Sequence, residues 1–116
     1  MDNLPVTIET FPGRHDGQAV MVLKGPLTLS NLFTFQQAVR AENSSTLILD
    51  LSAVPYMDSA GVGSVVNAHV SRSHSGRQLA LAAVPDRVLS LLRMSRLDQV
   101  LKIFSDAAAA QDILFQ

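Results

Sequence analysis

One passage of the 116-residue chain, residues 46–63, constrains the fold more than any other. It opens on Thr46-Leu47-Ile48-Leu49-Asp50-Leu51, an almost continuous apolar run of strand length. Such a run reads as a central strand covered on at least one face by helices, not as an exposed edge. The chain then passes through Val54-Pro55-Tyr56-Met57 and opens a helix at Asp58-Ser59-Ala60-Gly61-Val62-Gly63. That helix is predicted to run to about Ser73, with Val62, Val65, Val66 and His69 on one face. Ser75-Gly76-Arg77 closes it.

The flanking segments repeat the alternation. Residues 6–11 and 19–24 are short strand-like runs around the polar turn Pro12-Gly13-Arg14-His15-Asp16-Gly17, which predicts a hairpin. Gly25-Pro26 stops the second strand, because proline donates no backbone hydrogen bond. Ser30 is the expected N-cap of a helix over about residues 31–41, with Leu32, Phe35 and Val39 on its buried face. Residues 78–84 form another strand. Pro85-Asp86 starts a helix to about Met94 with Val88, Leu91 and Leu92 inward. A short strand at 101–104 and a helix over 106–114 end the chain. The predicted order is β-β-α-β-α-β-α-β-α, an α/β domain with a mixed sheet of four to five strands flanked by helices. The helices that start near Asn31 and Ser59 are expected on one side of that sheet. Leu49, Val66, Leu81 and Leu92 are the expected core.

Composition sets the bounds on function. At this length, with 47% hydrophobic and 16% charged residues, one packed domain over residues 1–116 is expected. Nine Lys and Arg oppose ten Asp and Glu, which leaves no basic excess for a nucleic-acid backbone or a polybasic membrane anchor. The absence of cysteine excludes disulfide scaffolds, thiolate-zinc sites and thiol catalysis, and fits a cytosolic protein. The first residues, MDNLPVTIETF, lack the basic and apolar regions of a secretory signal. No run approaches the ~18 apolar residues of a spanning helix.

Local chemistry concentrates at residues 54–63. Asp58 is placed to accept from free N–H groups at the helix start. Ser59 follows in the first turn, at the positive end of the helix dipole. Gly61 and Gly63 are poor helix formers, so two in one turn suggest close approach of something to the backbone. A routine cap with two packing glycines is an equally good local account. Leu27, Leu29, Tyr56 and Met57 are apolar residues on loops; core use is the default for each, and as a group beside Ser59 they would form a docking patch.

Residues 47–63 resemble the signature of the STAS family, the anti-sigma-factor antagonists. That signature is an apolar strand, a short loop, then Asp-Ser, a small residue, Gly, Leu or Val, and Gly opening a helix. The similarity extends to Gly25 after the second strand, to the helix that follows it, and to Arg87-Val88-Leu89-Ser90-Leu91-Leu92 with Leu97 beyond. The loop Gly25-Pro26-Leu27-Thr28 departs from the Gly-Glu-Leu/Ile-Asp that many phosphorylatable members carry. The resemblance implies a binding module and not an enzyme. Its implied partners are a serine kinase that doubles as anti-sigma factor, and a serine phosphatase that resets the switch. By position, Ser59 is the phosphoacceptor. Leu27, Thr28, Leu29, Tyr56, Met57, Asp58, Ser59, Ala60, Gly61 and Gly63 form the expected partner surface. No cofactor, metal, direct nucleic-acid contact or membrane anchor is implied. The alternative within the family is a STAS subunit of a transporter or signalling scaffold that works without phosphorylation.

Other chemistry finds little support. His15 and His74 read as solvated, and His69 as a partly buried, hydrogen-bonded residue. The three histidines show no metal-ligand spacing. A hydrolase built on Ser59 would need G-x-S-x-G or an assignable His and Asp pair, and neither is present.

Overall fold

The computed structural model describes residues 4–115; residues 1–3 and 116, which the expected 1–116 domain includes, lie outside the described residues. The elements follow the predicted order. They are β1 (Thr7–Pro12), β2 (Gln18–Lys24), α1 (Leu32–Ala41), β3 (Thr46–Ala53), α2 (Ser59–His74), β4 (Gln78–Ala82), α3 (Asp86–Met94), β5 (Lys102–Phe104) and α4 (Ala107–Ile113). A single 3-10 turn, Leu97–Gln99, precedes β5. The five strands lie in one sheet in chain order, with β1 antiparallel to β2 and every later pair parallel.

This topology follows from two simple constraints. The turn between β1 and β2 is tight, and Gly17 adopts φ +82° there, so antiparallel pairing is available. Each later strand lies parallel to its predecessor and needs a crossover. Right-handed crossovers progressing in one direction put α1, α2 and α3 on the same face. Leu47, Leu49 and Leu51 point to that face and are fully buried against Phe35, Val65, Val88 and Leu92. The alternate positions point the other way. Ile48, Ala80 and Ala82 form a smaller cluster under Ala110 of α4. β3 is thus central and covered on both faces.

Several expectations shift in detail. Asn31, not Ser30, is the N-cap of α1, and its side chain does not cap the helix. Its Oδ1 accepts from the Thr28 N–H at 2.8 Å, and its Nδ2 donates to the Pro26 carbonyl at 2.6 Å and the Leu4 carbonyl at 3.1 Å. Asn31 therefore ties down the loop after β2. β4 stops at Ala82, because Ala83 takes a left-handed φ of +54° and turns the chain out of the sheet. Val66, His69 and Leu91 are half-buried, not core. The α2 stripe that meets the sheet is Gly61, Val62, Val65, Ala68 and Arg72, with Ser64 beside it. Leu49, Leu81 and Leu92 are buried as expected. The His69 Nδ1 has no hydrogen-bond partner among the described residues. His15 is not simply solvated: its ring stacks on Phe115 with centroids 3.9 Å apart.

Arg72 is a buried residue that sequence reading did not single out. Its guanidinium donates to the carbonyls of Gln78 at 3.0 Å, Glu42 at 3.2 Å and Ser44 at 2.6 Å. One side chain thereby ties the α1–β3 loop to the start of β4. Burial first, and Arg77 second, lower its pKa from the usual arginine value.

Candidate site at the start of helix α2

The carboxyl ends of parallel strands gather the loops that lead into their helices. At this edge the β2–α1 loop and the β3–α2 loop lie side by side. Leu27 and Met57 form an isolated parallel bridge between them. The Leu27 N–H donates to the Tyr56 carbonyl at 3.2 Å, and the Asp58 N–H donates to the Leu27 carbonyl at 3.4 Å. This single bridge and its flanking hydrogen bonds fix the approach to α2.

Asp58 joins this frame to the helix. One carboxylate oxygen accepts from the Gly61 N–H at 2.8 Å, which caps α2. The other accepts from the Leu29 N–H at 3.0 Å. The side chain is therefore both a cap and a clamp between loops. Gly61 permits the approach: a Cβ there would run into the Leu27 carbonyl. Gly63 has no such role, since a Cβ on it would meet nothing within 4 Å. The expectation that both glycines serve close approach is corrected to one.

Ser59 is the first residue of α2 and is exposed. Of the expected partner surface, Leu29 is 74% exposed, Asp58 and Gly63 are exposed, and Tyr56 and Ala60 are half-buried. Leu27, Thr28, Met57 and Gly61 are buried. The side chains of Leu27, Thr28 and Met57 pack beneath the exposed residues as their platform. The loop expected to act as one apolar patch presents Leu29 and part of Tyr56 only.

A groove that sequence reading missed opens beside Ser59. Ser59, Val62, Gly63 and Val66 form one wall, and Leu91, Ser95 and Leu97 the other; its volume is about 380 Å³. It explains why Val66 and Leu91 are half-buried: they face each other across this groove. The signal was present in the sequence as apolar residues on the flanks of both helix stripes. Only the spacing between α2 and α3 decides whether such residues meet or stand apart. Arg87 extends over the Tyr56 ring at the same edge, with Cζ 5.4 Å from the ring centre.

The described residues hold no group of three or more His, Asp or Glu placed to bind a metal ion. No described helix is long and apolar enough to cross a membrane. The geometry defines a small α/β domain with an exposed serine at the first position of a helix capped by Asp58. The chain belongs to the STAS domain family, whose model matches residues 13–110. Among solved structures it is similar to a candidate anti-sigma factor antagonist of Thermotoga maritima, at 25% identity and TM-score 0.86, covering 94% of this chain and 95% of that one. It is also similar to the anti-sigma factor antagonist SpoIIAA in its unphosphorylated form, at 18% identity and TM-score 0.64, covering 92% and 94%. A sulfate transporter family protein of Wolinella succinogenes shares the fold at 21% identity and TM-score 0.70, covering 84% of each chain.

Proposed function

We propose that the protein is an anti-sigma-factor antagonist, a binding module whose hold on its partner is switched by phosphorylation of Ser59. The observation that carries this reading is the exposed Ser59 hydroxyl at the end of a frame held by Asp58, Gly61 and Leu27. In the transfer step, the Ser59 Oγ gives its proton to a base of the kinase and bonds to the γ-phosphorus of a kinase-bound nucleoside triphosphate, as the bond from that phosphorus to the bridging oxygen breaks and a nucleoside diphosphate leaves. The product adds roughly −1.5 to −2 charge and three acceptor oxygens. Asp58 stands next to that charge and repels it, while the helix dipole favours it. The fold need not change. A partner resting on Leu29, Tyr56 and the start of α2 meets new bulk and new charge at once. A serine kinase acting also as anti-sigma factor, and a serine phosphatase, are the partners this reading requires.

The decisive experiment is recovery of the protein from its native host with its partners, followed by phosphosite mapping. A small nucleotide-binding kinase in the recovered complex and phosphate on Ser59 are the expected results. Transporter subunits without phosphate would instead support the scaffold role. Calorimetry then compares the unmodified, Ser59→Ala, Ser59→Asp and phosphorylated forms against that kinase. Phosphorylation should weaken binding more than tenfold, Ser59→Asp should do so less, and Ser59→Ala should bind like the unmodified chain. Equal affinities across all four would overturn the switch.

A further inference from the structure

The proposed switch leaves open which residue of this chain responds to the phosphate; the inference that follows rests on Ser59 as the phosphoacceptor. α2 and α3 follow neighbouring parallel strands, β3 and β4, and therefore begin at the same edge of the sheet. Ser59 and Leu91 line the same groove. Arg87 lies one helical turn before Leu91, and residues at that spacing share a face. Arg87 thus projects at the end of the groove where Ser59 stands, and its contact with the Tyr56 ring, three residues before Ser59, fixes it there.

Arg87 is also electrostatically misplaced in the unmodified protein. It sits in the first turn of α3, at the positive end of the helix dipole, where a cation is disfavoured. Among the described residues it forms no ion pair; those recorded are Arg14 and His15 with Asp112, and Lys24 with Glu9. Asp86 is its neighbour in the chain. The nearby Asp58 carboxylate is already engaged by the Gly61 and Leu29 N–H groups. The β2–α1 loop brings only uncharged Thr28, Leu29 and Ser30 to this edge. The other α3 arginine, Arg93, lies in the last turn of that helix, with Arg96 beyond it.

We propose that Arg87 reads the phosphorylation state of Ser59. The phosphate draws the guanidinium off the Tyr56 ring and pairs with it across the mouth of the α2–α3 groove. A forked guanidinium matches phosphate oxygens with two parallel N–H donors, and such a charge-assisted pair outweighs an exposed cation–π contact. The Gly61 N–H is held by Asp58, so it does not compete for the phosphate. Phosphorylation then changes the groove's shape as well as its charge.

The test installs phosphoserine at position 59 during synthesis of the full chain, so no kinase is needed. Failure of this inference is then separate from failure of Ser59 as a cellular phosphosite, which the mapping experiment decides. Phosphorus NMR follows the second ionisation of the phosphoserine, ordinarily near pH 6. An adjacent cation favours the dianion and lowers that pKa. Arg87→Gln should raise it by at least ~0.3 of a pH unit, with Arg87→Lys between, and Arg93→Gln should leave it unchanged. The chain has one tyrosine and no tryptophan, so its intrinsic emission reports on Tyr56 alone. Phosphoserine should change that emission in the native chain and not in Arg87→Gln. Because Arg87 is exposed, Arg87→Gln should melt like the parent. Identical titrations for the native and Arg87→Gln chains, or an equal shift with Arg93→Gln, would overturn the inference.

Discussion

A missing methyl group at residue 61 sets the position of the Ser59 hydroxyl. Because the Leu27 carbonyl occupies the space of a Gly61 Cβ, Gly61→Ala must push apart two loops already joined by backbone hydrogen bonds. We expect a loss on the order of 3 kcal/mol, the upper range for overpacking, measured by urea denaturation. Gly63→Ala is the control. It fills open space on a helix and should stabilise by up to about 1 kcal/mol. Asp58→Ala removes a cap and a loop clamp together and should cost about 1–2 kcal/mol. Ser59→Ala should cost much less, since Asp58 still caps α2. If Gly61→Ala and Gly63→Ala gave the same midpoint, the close approach of the two loops would be wrong. The residue pattern Asp-Ser-x-Gly was legible in the sequence, but which glycine was indispensable was not. That answer lies with Leu27, more than thirty residues away in the chain.

At the level of the elements, the helices show why order is easier to read than facing. Strand and helix succession follows from local signals: apolar runs, Gly25-Pro26, Gly76 and Pro85. Facing depends on neighbours. Sequence reading selected the bulky residues Val62, Val65 and Val66 for the buried stripe of α2. Val62 and Val65 do lie on that stripe, but it continues through Gly61 and Ala68, whose small size permits close contact with the sheet, and it leaves Val66 out. Val66 is rotated about 100° from Val65 and reaches the groove. Val65→Ala should therefore cost about 2 kcal/mol and Val66→Ala less than about 1 kcal/mol, a difference that thermal denaturation resolves. Arg72 was illegible for a different reason. Its partners are main-chain carbonyls of Gln78, Glu42 and Ser44, which carry no sequence signature. Arg72→Ala leaves those carbonyls to find water and should cost on the order of 3 kcal/mol. A change below 0.5 kcal/mol would mean that solvent already serves them.

Across the whole molecule, the two faces of the sheet carry unequal loads. The α1–α2–α3 face holds the large core and the Ser59 site, while α4 covers a smaller cluster in which Ile48, Ala80 and Ala82 meet Ala110, with Val20 and Phe104 packed against it. α4 also reaches the β1–β2 turn: the Gln111 side chain accepts from the Arg14 N–H at 2.8 Å, and Gln18 donates to the Gln111 carbonyl at 2.8 Å. This contact lies at the amino ends of the parallel strands, at the edge opposite Ser59. The division predicts that stability and the proposed switch separate. Deleting residues 106–116 exposes Ile48 and removes the turn contacts, a loss on the order of 3–5 kcal/mol from a fold whose total is roughly 5–15 kcal/mol. The truncated chain should melt well below the parent. At low temperature it should still show unchanged Tyr56 emission, because the frame of Leu27, Asp58 and Gly61 belongs to the other face. Affinity for the proposed kinase partner, corrected for the folded fraction, should stay within a factor of two of the parent, about 0.4 kcal/mol. A fall in affinity beyond tenfold with intact Tyr56 emission would show that α4 takes part in recognition, and that the domain is not divided in this way.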